Sequence, residues 1–359
     1  MAALPFPDRD CESGIRQPPH NSKGLSETRS RILLSMAMNR TQVAGSEERS
    51  GSAFEYAVAI SLQKHTPATL LLDNAALRSK EKYLQLTTER QKRLSACAEK
   101  SALYLATVDE RLVKTKGLQI RFNSSHNAKA HHDVRDLLVA SGNVVIGISC
   151  KVNNEDLRHS RLSGTSDFVQ EWGLSDSGAS TAYWRGVKPV FSHLKELKSN
   201  GLKWDQVYPG DSGQRNERKL AEIVAPVLDE WEKEMSTLIS MEKNLATNLC
   251  RYLLGSKSYW KVIAKTPITP SQASRDTITI QRFDLEGDMP GAKLVMPKKI
   301  LGIHVQPRSR ARERIVTCDQ SYSFGFRLHT AESQVVSSLK FAVKGRGLPA
   351  AIDQASFRI

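Results

Sequence analysis

The sequence predicts a mixed α and β protein in the order helix, β-hairpin, helices and a final β-rich third. Three observations carry that expectation. The 359 residues are 40% hydrophobic and 25% charged, a globular composition on a chain long enough to bury a sizeable core. The apolar pattern has helical spacing up to about residue 112, switches to short β-rich runs around Gly142-Asn143, and later switches back. Unbroken apolar runs such as Tyr56 to Ile60 and Val144 to Ile148 are five residues long, far short of the roughly 20 that cross a bilayer as a helix.

Residues 1–48 carry Pro5, Pro7, Pro18 and Pro19 and scattered charge with little periodicity, and are expected to be a poorly ordered leader. From Gly51, the string GSAFEYAVAISLQKH sets Phe54, Ala57, Val58, Ile60 and Ser61 at helical spacing, with Ser50 or Ser52 as cap. Leu77 to Leu112 contains neither Gly nor Pro, which predicts a continuous charged helical region. The string DLLVASGNVVIGISCK predicts a hairpin turning at Gly142-Asn143. KPVFSHLKELKSNG and the stretch from Arg218 to Ile263 predict helices, with Gly201 and Gly255 as stops. Thr277 to Val343 alternates β-rich runs with Pro and Gly turns. One domain over 49–345 and a C-terminal tail over 346–359 are expected. No internal repeat is visible, which argues against a solenoid.

The net charge of +14 and pI near 9.6 point to a polyanionic partner, most often nucleic acid. Five cysteines (Cys11, Cys97, Cys150, Cys250, Cys318) are widely spaced with no CxxC, so neither a disulfide framework nor a zinc ribbon is indicated. The N-terminus lacks a signal-peptide pattern, and Asp8, Asp10 and Glu12 argue against a transit peptide. A cytoplasmic, reducing location is expected.

With Gly142 and Asn143 as the two loop residues, Ser141 faces Val144 and Asp136 faces Ser149. On the second strand, Val144, Ile146, Ile148 and Cys150 share one face. Val145, Gly147, Ser149 and Lys151 share the other. Asp136, Ser149 and Lys151 therefore converge at the strand ends. A carboxylate, a hydroxyl and an ammonium in that arrangement can hold a divalent cation against a phosphate. Asp133 would face Val152 on the opposite side and is the weaker ligand candidate. On spacing alone the pattern is loose, and an ordinary exposed Lys and Asp pair would have the same signature.

Seven collinear blocks make the pattern specific: GSAFEYAVAISL at 51–62, ISCKVNNEDLRHSRLS at 148–163, DFVQEW at 167–172, YWRGVKPVFSHLKELKSNG at 183–201, RYLLG at 251–255, FRLHTA at 326–331 and SSLKF at 337–341. Through them the chain resembles the HaeIII family of type II restriction endonucleases over roughly residues 50–345. The resemblance implies a nuclease of the PD-(D/E)xK type: an α/β (α+β) restriction-endonuclease-like mixed β-sheet flanked by helices, with additional helical and C-terminal β-rich segments. It implies Mg²⁺-dependent hydrolysis of double-stranded DNA at GGCC, and a cognate DNA methyltransferase as functional partner. Glu55, in the FEYA block, matches the superfamily's acidic residue on an early helix, and Lys151 matches its lysine. Asp136 and Glu55 are the implied metal ligands. The sequence departs from the pattern at Ser149, where Asp or Glu is usual; a hydroxyl is a weaker ligand for a hard cation, and the Cys150 carbonyl could help complete the shell.

Beyond Lys151, Asn153, Asn154, Arg158, His159 and Arg161 are hydrogen-bonding types suited to DNA contact. Arg308, Arg310, Arg312 and Arg314 alternate, so on an extended ribbon they share a face. From Ala292 to Arg346 there are 11 Lys or Arg against three acidic residues, a surplus of eight in the net +14. Such a ribbon could follow phosphates, read guanines, or be a charge-protected edge strand. Two competing functions stay open: an HNH-type nuclease using His131 or His132, Asn153 or Asn154, and His159, and a non-catalytic DNA-binding protein whose site has decayed at Ser149. A palindromic target suits a two-fold dimer, whereas four base pairs are short enough for a monomer.

Overall fold

The computed structural model describes residues 50–123, 133–266, 275–305, 312–330 and 333–359. Residues from Arg49 onward form one unit; the expected leader lies outside the described residues. The first helix, α1 (50–65), buries Ala53, Phe54, Val58 and Leu62 completely. Full burial of a side chain the size of Phe54 is worth about 1.5–3 kcal/mol. Ile60, expected on that face, is instead 40% exposed, and Ser61 turns inward. The region from 77 to 112 is not continuous. It breaks into α2 (Asn74–Leu84) and α3 (Thr88–Val108), because Thr87 caps the second helix through the Arg90 amide. The Gln91 side chain donates to the Leu84 and Leu86 carbonyls at the break, which supplies partners a helix end otherwise lacks.

Twelve strands among the described residues form two sheets. The seven-stranded sheet has the order β1 (Thr69–Leu70), β2 (Gln119–Phe122), β3 (Leu137–Ser141), β4 (Val144–Val152), β6 (Tyr259–Lys265), β7 (Thr277–Phe283) and β12 (Gln354–Arg358). It is mixed: β1 with β2 and β4 with β6 are parallel, and the other pairs antiparallel. The five-stranded sheet, all antiparallel, runs β5 (Arg158–Ser163), β11 (Ser338–Gly347), β10 (Ser323–His329), β9 (Glu313–Cys318) and β8 (Ile300–Val305). Two expectations change here. Tyr259 to Ile263, placed in a helix from the sequence, is the interior strand β6. Its residues Tyr259 to Ala264 are all buried, as a strand flanked on both sides must be. The stretch expected as a tail supplies β12 at the sheet edge.

Between the sheets in sequence lie α4 (Thr181–Ser199), α5 (Ser212–Lys219), a π-helical turn (Leu220–Val224), α6 (Ala225–Met241) and α7 (Leu245–Leu254). Gly201 and Gly255, the expected stops, have φ of +66° and +90°, a backbone region glycine enters at low cost. One core packs Phe54, Val58, Leu94 and Leu105 against Ile146, Ile148 and Trp260 of the seven-stranded sheet. The other packs Trp172, Leu194, Trp231 and Leu249 against Phe326 and Phe341 of the five-stranded sheet. No helix among the described residues is long and apolar enough to cross a membrane.

Candidate active site

The hairpin has the register expected from a two-residue loop. Ser141 pairs with Val144 and Leu137 with Ile148, and Gly142 takes φ of +55°. The regular ladder stops at Leu137, and the Asp136 amide turns to the Ile148 carbonyl, at 2.8 Å. Asp136 therefore sits just outside the paired register, and its side chain reaches Ser149. Three donors then reach one carboxylate oxygen, Asp136 Oδ2: the Cys150 amide at 2.7 Å, Ser149 Oγ at 3.0 Å and Lys151 Nζ at 3.2 Å. Charge-assisted bonds of this kind are the strong ones. They hold the carboxylate rigidly and use only one of its two oxygens.

Glu55 joins from α1. Burial first, and then the nearby Asp136 charge, push its carboxyl up to about 8, against the opposing charges of Lys151 and Lys82. Lys151 shows the converse balance. Burial works against its charge, but Asp136 and Glu55 outweigh it and hold the ammonium above its usual range. Asp136, Ser149 and Lys151 therefore meet in one hydrogen-bonded cluster, and Glu55 lies near enough to exchange charge effects with Asp136 and Lys151. Among the described residues no three His, Cys, Asp or Glu side chains cluster as a metal site. The donor set is nevertheless one that suits Mg²⁺, which accepts one or two carboxylates and keeps several waters. Two like charges forced together are what a divalent cation would relieve.

Asp133 is committed elsewhere. Both its oxygens bind the Arg135 guanidinium at 2.8 Å, and Asn123 adds a further bond. Although burial alone would raise it, the Arg135 bonds hold its carboxyl below the usual range.

The flanking polar residues divide. Asn153 has φ of +53°, and its amide donates to the Thr266 carbonyl and accepts from the Thr266 amide. It clamps the ends of β4 and β6, which accounts for its side chain without DNA or metal. Asn154 bonds the His159 ring at 2.9 Å, and that ring also faces Asp156. Arg158 turns inward, its guanidinium 4.2 Å from the Tyr252 ring centre and donating to the Tyr252 carbonyl. His159 and Arg161, on alternate positions of β5, are exposed. His131 and His132 lie outside the described residues, and with Asn153 occupied no HNH constellation is visible among those described.

The arginine ribbon is corrected. Arg308 and Arg310 lie outside the described residues. Arg314 is buried, binding Asp229 at 2.5 Å and also Glu232, both on α6. Arg312 donates to the Asn216 carbonyl. Alternation did put these two on one side, but that side packs on helices, which the sequence pattern could not reveal.

Sequence reasoning also missed Lys261. It pairs with Ser149 across the parallel β4 and β6 strands and is 2% exposed, with Nζ donating to the Glu155 and Asp156 carbonyls at 3.1 and 3.3 Å. Burial, reinforced by the Lys151 charge, pushes it down to about 7. The available signal was a lysine inside the apolar run YWKVI.

A mixed sheet flanked by helices, with an acidic and basic cluster at the end of its central hairpin, defines the restriction-endonuclease-like class of fold. The chain belongs to the HaeIII restriction endonuclease family, whose match covers residues 51–349. That makes it a site-specific deoxyribonuclease of the type II restriction class. It is 29% identical over 234 residues to the type II restriction enzyme HaeIII of Haemophilus aegyptius, covering 61% of this chain and 68% of that protein.

Proposed function

We propose that the chain hydrolyses double-stranded DNA at GGCC in a Mg²⁺-dependent reaction centred on Asp136, Glu55 and Lys151. The observation that carries this is the convergence of Lys151 Nζ, Ser149 Oγ and the Cys150 amide on Asp136 Oδ2. GGCC is supported by the family alone.

In this reading Asp136 and Glu55 would hold the cation. A bound Mg²⁺ would supply charge stabilisation at the phosphate and ease deprotonation of the attacking water. Lys151, held protonated by the two carboxylates, orients the nucleophile and stabilises charge developing on the phosphate, and the 3′ oxygen leaves. Ser149 serves by donating to Asp136, so a hydroxyl in place of the usual carboxylate keeps a role without being a cation ligand. No covalent intermediate with the protein is needed. We further propose a cytoplasmic enzyme paired with a cognate methyltransferase, acting as a homodimer on its palindromic site.

The test is a digest of a plasmid of known sequence with Mg²⁺ and with EDTA. Fragment ends mapping to GGCC, and none with EDTA, are expected. Ends mapping elsewhere would refute the specificity. Absence of cutting with any divalent cation would favour the decayed, DNA-binding alternative that Ser149 raises.

A further inference from the structure

In the five-stranded sheet, alternate residues divide sharply. Leu162, Leu339, Phe341, Val343, Phe324, Phe326 and Leu328 are buried, and all belong to one core with the helices. The alternate positions carry a different chemistry. On β5 these are His159 and Arg161; on β11, Lys340; and on β10, Arg327 and His329. The pairing aligns them into rows. Arg161 lies opposite Lys340, and Lys340 opposite His329; two residues along, His159 lies opposite Ala342, and Ala342 opposite Arg327. Neighbouring strands are about 4.8 Å apart, so each row places cationic or hydrogen-bonding groups within side-chain reach of one another.

The groups sense each other electrostatically. After burial, the nearby charge of Lys340 lowers His159, and those of Arg327 and Lys340 lower His329. The carboxylates here are few. Asp156 faces His159, and Glu313, opposite Arg327 on β9, is bound to Arg346. The rows adjoin the candidate centre at one end, where the Lys151 charge acts on His159. At the other end lies a polar cavity of about 260 Å³, lined in part by Lys219, Arg327, His329 and Thr330.

We infer that this face of the five-stranded sheet, from His159 and Arg161 across Lys340 to Arg327 and His329, is a docking surface for the phosphate backbone of duplex DNA. The occupant follows from charge complementarity: the face is cationic, is flanked by the hydrolytic centre, and belongs to an enzyme whose substrate is a polyanion. It rests on the site placement above for its orientation, but on the family alone for its partner. Backbone contacts supply affinity without sequence information, so the face holds DNA while other groups read GGCC.

The test uses the full chain in EDTA, where binding is measured without cleavage. Fluorescence anisotropy of cognate and random 20-base-pair duplexes is followed across a salt series for the triple variant Arg161→Gln/Arg327→Gln/Lys340→Gln. A second triple, Lys64→Gln/Lys114→Gln/Lys257→Gln, removes the same charge from exposed lysines outside this sheet. If each strip residue meets one phosphate, the first triple flattens the log K against log salt slope by about 2–3 and weakens both duplexes alike, at least about tenfold near 100 mM salt. The control triple leaves the slope within about 0.5 of the parent. An unchanged slope in the first triple, or an equal change in the control, overturns the inference. Should the triple variant fail to fold, Lys340→Gln alone is expected to flatten the slope by about 0.9, and an unchanged slope counts against the surface. Absence of plasmid cutting would refute the catalytic reading while leaving this binding result to stand or fall separately.

Discussion

Replacing Lys151 with methionine keeps the apolar stem and removes only the ammonium, so the consequences can be worked through bond by bond. Asp136 Oδ2 loses one of three donors, while the Ser149 and Cys150 bonds remain. Loss of one such charge-assisted bond costs on the order of 1–3 kcal/mol, with the lower end expected here because the Lys151 side chain is 29% exposed. The fold should therefore survive. DNA affinity should fall by no more than one phosphate's share, a salt slope change of about 0.9. Chemistry should suffer far more. Removing one preorganised group that stabilises developing charge typically costs about 10²–10³ in rate, and Lys151 also restrains Glu55. Without it, Glu55 rises above about 8, so cation binding should require more alkaline conditions. Single-turnover cleavage of a saturating cognate duplex, alongside anisotropy in EDTA, separates these effects. Cleavage within tenfold of the parent would remove Lys151 from the reaction, and loss of binding equal to the loss of rate would make it an anchoring residue.

Three further outcomes are expected. Glu55 is raised on folding, so the metal-free fold takes up a proton there and its stability declines as pH rises from about 4.5 towards about 8. Glu55→Gln removes that penalty; its Tm advantage in EDTA should be small at pH 5 and larger at pH 9, and the same advantage at both would contradict the burial of two carboxylates together. Asp133→Ala should keep cleavage within about tenfold, because Asp133 binds Arg135 rather than the centre, yet lower Tm by stranding that half-buried guanidinium; an inactive but fully stable variant would reassign the cation ligand. Arg314→Met should cost about 1–3 kcal/mol of stability in urea titration by breaking its bonds to Asp229 and Glu232. It should leave the salt slope of DNA binding unchanged, and a flattened slope would restore it to the interface.

The sequence by itself determined what depends on local geometry. The Gly142-Asn143 turn fixes the register from Leu137 to Ser141, which puts Ser149 and Lys151 on one face and leads one to expect Asp136 beside them, where it is found. The same arithmetic made Asp133 the weaker candidate. The family blocks added Glu55, which no spacing within the hairpin could have located on a helix some 80 residues earlier. Only the tertiary structure decided what each face meets. The apolar run at Tyr259 reads equally well as helix or buried strand, and its place beside β4 settles it. Arg312 and Arg314 alternate as an exposed ribbon would, yet α6 brings Asp229 and Glu232 against Arg314 and converts a presumed DNA contact into an internal ion pair. The cationic rows on β5, β10 and β11 were invisible for the same reason: Arg161, Arg327 and Lys340 are far apart in the chain, and strand pairing alone makes them neighbours. Periodicity records which residues share a side. It carries no information about whether that side will face water, a helix or another strand, because that depends on contacts between distant segments.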